Sequence, residues 1–193
     1  MILKAIKIPL TTCKGNPWYM QSPIDLSTLN PLQRIILVYN GTLTRLLETF
    51  LNEQLTVVKL HETLEASSEP VPYLDLPAHQ QIINRKICLQ GQDSGINWLY
   101  AESIIVPARL PPLFRQELLE SQIPIGKLWN KHRVETFKEL LPPFQEPAGE
   151  LADHFNISTD YALFGRTYRV YSNQTPIMML TEKFPAHYFK DIA

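Results

Sequence analysis

The chain has 193 residues, of which 45% are hydrophobic and 19% are charged, a composition typical of one globular domain spanning residues 1–193. Its formal net charge of −1 gives no electrostatic footprint for nucleic acid or an anionic membrane. No apolar run approaches the roughly 18 residues that span a bilayer, and the N-terminus lacks the features of a signal peptide. Two distant cysteines, Cys13 and Cys88, fit a reducing compartment. We therefore expect a monomeric cytoplasmic protein that binds neither nucleic acid nor membrane.

The first third of the chain predicts a lead-in followed by two helices. Residues 1–27 are interpreted as an extended lead-in, in which ILKAIKI is a candidate strand. Asn30 is the expected N-cap of a first helix, and Asn40-Gly41 is expected to end it with a left-handed cap. Thr42 is a candidate N-cap of a second helix, whose apolar stripe comprises Leu43, Leu46, Leu47, Phe50 and Leu51. Free N–H groups at such a helix start can bind an anion.

The remaining chain predicts strands joined mostly by short turns. Strands are expected at 55–65, 80–90, 97–107 and 133–140, with a closing hairpin over 161–185 that turns at 172–175. Between them lie a proline-rich connection at 67–78, a helix at 110–122, a short apolar element at 123–129 and a loop at 141–160. Turns this short disfavour parallel crossovers between consecutive strands. The predicted fold class is therefore α+β, an antiparallel β-sheet with helices packed on it.

Three charged residues fall on strand faces that are otherwise apolar. Arg85 alternates with isoleucine and leucine, Arg166 with phenylalanine, tyrosine and valine, and Glu182 with methionine, leucine and phenylalanine. A buried charge is costly unless it is paired or used. An arginine in a dry pocket is the expected clamp for a carboxylate, so this pattern suggests recognition of a small acid with a hydroxyl at its far end. The alternatives are solvent-facing positions or a buried Arg85–Glu182 salt bridge.

The sequence contains no motif for phosphate binding, serine hydrolysis or metal coordination. The GQDSG run at 91–95 lies in a hairpin loop and not between a strand and a helix, so it is not a phosphate-binding loop. There is no GxSxG elbow, no CxxC, and no histidine pair at i+3 or i+4. We therefore do not expect a transition-metal site.

Several spaced segments together resemble the chorismate lyase (chorismate pyruvate-lyase) family over most of residues 40–185. They are NGTLTR at 40–45, INRKICL at 83–89, WLYAESIIVP at 98–107, IPIGKLW at 123–129 and FGRTYRVYSNQTPIMMLTEKFP at 164–185. The resemblance implies a chorismate lyase-like fold and a cofactor-free enzyme that eliminates pyruvate from chorismate. The product would be 4-hydroxybenzoate, a precursor of ubiquinone or plastoquinone.

The resemblance also implies roles for individual residues. Arg85 matches the family's carboxylate-binding arginine, and Leu43 and Ile125 match positions whose backbone amides meet that carboxylate. Glu182 matches the catalytic glutamate that faces the substrate hydroxyl. Residues 26–44 are expected to form flaps over the site.

The chain departs from the family pattern at Ser103. Members of the bacterial ubiquinone pathway carry an arginine there, towards the side-chain pyruvate, so Arg166 or Arg169 is the expected substitute. The competing hypothesis is a non-catalytic small-molecule-binding domain, similar in fold to the ligand-sensing domain of bacterial transcription regulators. The regulator domain has a strand with an arginine, a turn, and then a strand with glutamate, serine and proline. This pattern resembles Arg85 followed by Glu102-Ser103 and Pro107 here.

Overall fold

A computed structural model describes residues 22–190, so most of the predicted lead-in, with ILKAIKI and Cys13, lies outside the described residues. The helices are α1 Pro31–Val38, α2 Leu43–Leu51, α3 Pro112–Glu120, α4 Ile125–Lys131 and α5 Ala152–Phe155. The strands are β1 Ser22–Pro23, β2 Leu55–Ala66, β3 Gln81–Gly91, β4 Asn97–Ile105, β5 Phe137–Leu140, β6 Phe144–Pro147, β7 Ala162–Ser172 and β8 Thr175–Pro185. Within residues 22–190, no helix is long and apolar enough to cross a membrane.

The strands form one sheet in the order β1-β6-β7-β8-β4-β3-β2, with β5 paired to β7. Each described strand pair is antiparallel, which confirms the predicted α+β class. The predicted closing hairpin is β7–β8, and its two turn residues, Asn173 and Gln174, both have positive φ, at 48° and 60°. Turns of this kind match the right-handed twist of the strands they join. The hairpin therefore follows from local turn chemistry.

Helix α1 begins as predicted and ends differently. Asn30 forms a capping box at its start. The predicted left-handed cap at Asn40-Gly41 is wrong, because the chain leaves the helix through Tyr39 in extended conformation, with φ −67° and ψ 117°. The Arg166 guanidinium donates to the carbonyls of Ile36 and Tyr39, both at 2.7 Å. The Arg166 side chain from β7 therefore supplies the hydrogen-bond donors at the end of α1 that a left-handed cap would otherwise provide from the backbone.

The segment before the closing hairpin is where the predicted elements differ most. The predicted strand at 133–140 is shortened to β5, since Arg133 has a positive φ of 50°. The predicted loop at 141–160 contains β6 and α5. Prolines around Phe144 suppress any local strand signal, and β6 forms next to the edge of the sheet through pairing with β7 and with the two-residue strand β1.

The sheet has two differently covered faces. Helices α1 and α2 cover one apolar cluster on the first face, which includes Leu43, Leu47, Val57, Leu89, Leu99, Phe164 and Phe184. Helices α3 and α4 cover a second cluster on the same face, which includes Ile83, Ile105, Phe114, Leu128, Met178 and Leu180. The opposite face packs Cys88, Tyr100 and Leu163 against α5, and Ile82, Val106 and Met179 against the connection between β2 and β3.

Candidate functional site

A band of polar side chains crosses the helix-covered face between the two apolar clusters. Arg85 lies opposite Glu62 on one side and Ser103 on the other, and Arg166 lies opposite Glu182. Cross-strand partners project to the same face of a sheet. The polar band therefore comprises Glu62, Arg85, Ser103, Tyr168, Arg166 and Glu182. Arg85, Arg166 and Glu182 are only 4%, 1% and 7% exposed, so the solvent-facing alternative is wrong.

Glu182 is held by two neighbours on β7. Arg166 Nε donates to its Oε2 at 2.6 Å, and the Tyr168 hydroxyl donates to its Oε1 at 3.0 Å. A carboxylate offers about four lone-pair sites, so acceptor capacity remains on both oxygens. Glu182 is thus an oriented, buried carboxylate that can still accept a hydrogen bond.

The protonation states at this end follow from burial and from the Glu182 charge. Burial, reinforced by the Glu182 carboxylate, raises the pKa of Tyr168 well above its usual value, so its hydroxyl remains a donor. For Arg166, burial is the largest effect and acts to lower the pKa, but Glu182 and Tyr168 together outweigh it and the net pKa is raised. The Glu182 end therefore carries a fixed cation and a fixed O–H donor.

Arg85 interacts less closely with Glu62 than Arg166 does with Glu182. Its Nε lies 2.9 Å from Glu62 Oε2, within ion-pair distance but outside hydrogen-bonding orientation. Nε and Nη2 of Arg85 are both buried without a hydrogen-bond partner. Burial lowers the pKa of Arg85 and Glu62 opposes that effect, while a guanidinium stays protonated at neutral pH in either case. Because Nε already faces Glu62, Nη2 is the nitrogen left without any partner, and such a buried donor suits a carboxylate ligand.

Glu62 was missed by the sequence reasoning, and a bulge in β2 explains why. The register shifts by one residue between Lys59 and His61, so that Lys59 pairs with Ile87 while Glu62 pairs with Arg85. Lys59 and Glu62 consequently share a face and form an ion pair at 2.9 Å. Strict alternation would have put them on opposite faces. No signal in the sequence marks the bulge.

Arg85 and Glu182 do not pair with each other, so the alternative of a mutual salt bridge is wrong. They lie two strands apart and two residues out of register. Typical strand spacing and rise give a Cα separation of about 12 Å. Between them β4 presents Ala101 and Ser103, whose small side chains leave room over the sheet.

The starts of helices α2 and α4 meet on this face. A Cβ on Gly126 would lie 2.7 Å from Thr42 Cγ2 and 3.1 Å from Thr44 Oγ1, so only glycine permits the observed approach. Thr42 has the extended conformation of an N-cap but makes no side-chain cap, and α4 follows Pro124, also without one. The first N–H groups of both helices therefore lack side-chain acceptors.

The predicted anion-binding positions Leu43 and Ile125 are the first residues of these helices. Leu43 belongs to the cluster against which Ile87 packs, and Ile125 packs against the cluster that contains Ile83. Arg85 lies between these two isoleucines on the same strand face. Both helix starts therefore belong to or pack against the apolar clusters that include or contact the neighbours of Arg85 on β3.

Arg166 and Arg169, the two predicted substitutes for the arginine that is absent at Ser103, lie on opposite faces of the sheet. Arg166 is in the polar band, next to Glu182. Arg169 alternates to the opposite face, where it lies 2.6 Å from Glu139 and donates to the Tyr73 carbonyl, so the expectation for Arg169 is wrong. Among residues 22–190, no group of three or more His, Cys, Asp and Glu side chains could hold a metal ion.

Comparison with known proteins supports the same family from sequence and gives the fold from structure. Residues 37–191 match the family model described as chorismate pyruvate-lyase Rv2949c-like. A chorismate pyruvate-lyase of Mycobacterium leprae is 34% identical over 162 residues, covering 82% of this chain and 76% of the relative. One from Mycobacterium tuberculosis strain H37Rv is 31% identical over 172 residues, covering 86% of each.

Several solved structures that share this fold come from transcription regulators. The effector domain of PhnF from Mycobacterium smegmatis has a TM-score of 0.58 at 8% identity and covers 86% of this chain and 93% of its own. A GntR-family regulator from Bacillus cereus has a TM-score of 0.55 at 10% identity, covering 72% and 96%. At such low identity these likenesses show the fold alone. By its sequence, the chain belongs to the Rv2949c-like chorismate pyruvate-lyase family.

Proposed function

We propose that this protein is a chorismate pyruvate-lyase that releases pyruvate from chorismate and leaves 4-hydroxybenzoate. The observation that carries the proposal is the separation of two buried charges along one polar band. Arg85 offers the unpartnered Nη2 at one end and Glu182 offers spare acceptor sites at the other, and strand spacing puts their Cα atoms about 12 Å apart. A para-substituted ring with a carboxylate at one end and a hydroxyl at the other suits that arrangement.

Arg85 would bind the ring carboxylate. Its buried Nη2 has no partner and can donate to a carboxylate oxygen, and the low-dielectric surroundings strengthen the contact. The backbone amides of Leu43 and Ile125 would complete the cradle, because both begin helices that lack a side-chain cap. Glu62 and Lys59 would hold the guanidinium in position from the other side.

Glu182 would accept a hydrogen bond from the ring hydroxyl. Arg166 and Tyr168 hold its carboxylate from β7, so the group needs no reorientation when substrate arrives. Arg166 also holds the end of α1. The predicted flap over residues 26–44 would thereby be tied to the same guanidinium that orients Glu182.

The reaction breaks the ether C–O bond and the C–H bond at the hydroxyl-bearing ring carbon. The ring becomes aromatic, and the proton ends on the methylene carbon of the departing enolpyruvyl group, which is released as pyruvate. Aromatisation drives the reaction, so the protein mainly selects the reactive conformation and excludes competing rearrangements. Glu182 would share the hydroxyl proton as charge shifts in the ring. This chemistry proceeds with the chain's own residues and requires no cofactor.

The decisive test measures 4-hydroxybenzoate and pyruvate formed from chorismate. We expect Arg85→Ala to raise KM by about 100-fold, because a charge-assisted contact to the ring carboxylate is lost. We expect Glu182→Gln to lower kcat by about 100-fold or more, as for a positioned proton-transfer group. Arg115→Ala and Glu120→Gln, both exposed on α3, are the matched controls. An active wild type with Arg85→Ala and Glu182→Gln unimpaired would contradict the proposal.

The same assay addresses the binding-domain alternative. That alternative rests on Glu102-Ser103, but Glu102 lies on the opposite face, 3.5 Å from Lys183 Nζ, and Ser103 alone faces the polar band. A sensor would bind chorismate and return it unchanged. As a metabolic role, we propose that the 4-hydroxybenzoate supplies the ring of ubiquinone or plastoquinone. Deletion of the gene should then lower the quinone, and added 4-hydroxybenzoate should restore it.

A further inference from the structure

Lys138 is a cation of the helix-covered face that the sequence pattern did not single out. Lys138 on β5 pairs with Val170 on β7. Val170 is two residues from Tyr168 and therefore projects to the same face of the sheet, so the side chain of Lys138 also lies on the helix-covered face. Its Nζ lies 5.4 Å from the centre of the Tyr168 ring, whose hydroxyl donates to Glu182. Burial lowers the pKa of Lys138, the Glu182 carboxylate opposes this and Arg166 adds to it, so both charges are within electrostatic range. Lys138 therefore lies at the Glu182 end of the polar band.

The ammonium of Lys138 has unused capacity. It donates one hydrogen bond, to the Gly41 carbonyl at 2.7 Å. An ammonium has three donors, and within residues 22–190 no carboxylate lies at ion-pair distance from this one. A half-buried cation without a counter-ion is unfavourable unless an anion joins it. The free donors of Lys138 therefore point to a place for a negatively charged ligand group.

The other cations near Glu182 are already committed. Arg166 has Nε on Glu182 and Nη1 on two backbone carbonyls, which leaves only Nη2 without a partner. Lys183 alternates to the opposite face and pairs with Glu102 and Glu146. Ser103, where some family members carry an arginine, is neutral. Lys138 is thus the cation at this end that has no carboxylate partner, and besides Arg166 Nη2 its ammonium carries the donors that remain available.

The two ends of the polar band have matching charge. At one end, Lys59 and Arg85 face Glu62, two cations against one carboxylate, so the net charge is +1. At the other end, Lys138 and Arg166 face Glu182, which again leaves a net charge of +1. One additional carboxylate at each end would neutralise the band. Charge balance therefore favours a dianionic ligand over a monoanionic one.

The substrate's own geometry decides where its second carboxylate falls. In chorismate the enolpyruvyl ether is attached to the ring carbon next to the one that bears the hydroxyl. If Glu182 holds that hydroxyl, the enolpyruvyl carboxylate must lie within a few bond lengths of Glu182, far from Arg85. Building on the proposed function, we propose that Lys138 binds the enolpyruvyl carboxylate and replaces the arginine that is absent at position 103.

The test compares two ligands that differ in this carboxylate. Lys138→Met should raise KM for chorismate by about 10- to 100-fold, because a charge-assisted contact is lost. It should change the Kd of 4-hydroxybenzoate by less than about threefold, because that ligand lacks the enolpyruvyl group. Lys138→Arg should retain most of the chorismate affinity. Lys86→Met, an exposed lysine that alternates to the opposite face of β3, is the matched control.

Each other outcome has a distinct meaning. If Lys138→Met weakens both ligands equally, Lys138 only supports the loop at Gly41 and the assignment fails. If it weakens neither, the assignment also fails, while the lyase proposal stands as long as wild type forms product. Wild type that neither binds nor converts chorismate would overturn the proposed function and, with it, this inference. Unchanged 4-hydroxybenzoate affinity in the variant also shows that it folds.

Discussion

Arg166 lies directly across the closing hairpin from Glu182, with 2.6 Å between Nε and Oε2, and the same guanidinium holds the last carbonyls of α1. One residue therefore connects the candidate catalytic carboxylate to the first helix and the loop that follows it. In a site this buried, loss of the cation leaves several polar groups without partners at once. The Arg166–Glu182 pair therefore contributes to the stability of the fold as well as to the site.

Arg166→Met should destabilise the protein by about 3–5 kcal/mol, because it leaves the buried Glu182 carboxylate without its counter-ion. Adding Glu182→Gln should recover at least about 1 kcal/mol, since residues in contact show coupling of that size. The remaining loss would report the unpaired carbonyls at the end of α1. Urea denaturation of wild type, both single variants and the double variant measures this. Strictly additive effects would contradict the pairing.

Gly126→Ala should push apart the starts of α2 and α4, because the new Cβ would lie 2.7 Å from Thr42 Cγ2. We expect a loss of about 1–3 kcal/mol in unfolding free energy, as for other overpacked sites. Affinity for 4-hydroxybenzoate should fall as well if the two helix starts bind its carboxylate. Thr42→Ser removes the clashing methyl group, so the double variant should recover both quantities. Failure of this rescue would contradict the close approach.

Tyr168 should make stability fall at high pH. Its pKa is raised by burial, so the folded protein keeps a proton that the unfolded chain loses above pH of about 10. The resulting stabilisation is present below that pH and is lost as pH rises further towards the folded-state pKa.

The comparison with Tyr168→Phe isolates this effect. Between about pH 10 and pH 11, the unfolding free energy of wild type should fall more steeply than that of the variant, by up to about 1.4 kcal/mol per pH unit. Tyr161→Phe removes the hydroxyl of an exposed ring and should behave as wild type. Parallel profiles for wild type and Tyr168→Phe would exclude a buried, protonated Tyr168.

Cys88 should be chemically inert in the folded protein. Burial raises the pKa of its thiol to about 12, so very little thiolate exists at pH of about 8. In a Cys13→Ser background, we expect no reaction with an aromatic disulfide reagent under native conditions. Full reaction should appear in denaturing urea. Rapid labelling of the native protein would show that Cys88 is accessible.

Much of the architecture was predictable because its signals are local. Alternation identified β2, β3, β4 and the β7–β8 hairpin, and Asn30 with Pro31 identified the start of α1. The same alternation put Arg85 and Glu182 on apolar faces, and this pattern alone made them candidate site residues. These features depend on neighbours within a few residues, where backbone preference and side-chain direction are set.

The partners of those charges were decided only by the tertiary structure. Glu62 faces Arg85 because of a bulge in β2 that the residue pattern does not predict. Lys138 lies near Glu182 because the short strand β5 pairs with β7. The position of β8 beside β4 separates Arg85 from Glu182 and prevents the ion pair that their opposite charges suggested. Strand order and register arise from contacts between residues far apart in sequence. The sequence by itself therefore determined that Arg85, Arg166 and Glu182 are turned inward, and the assembled sheet added Glu62 and Lys138 and determined which charges are neutralised and which remain free for a ligand.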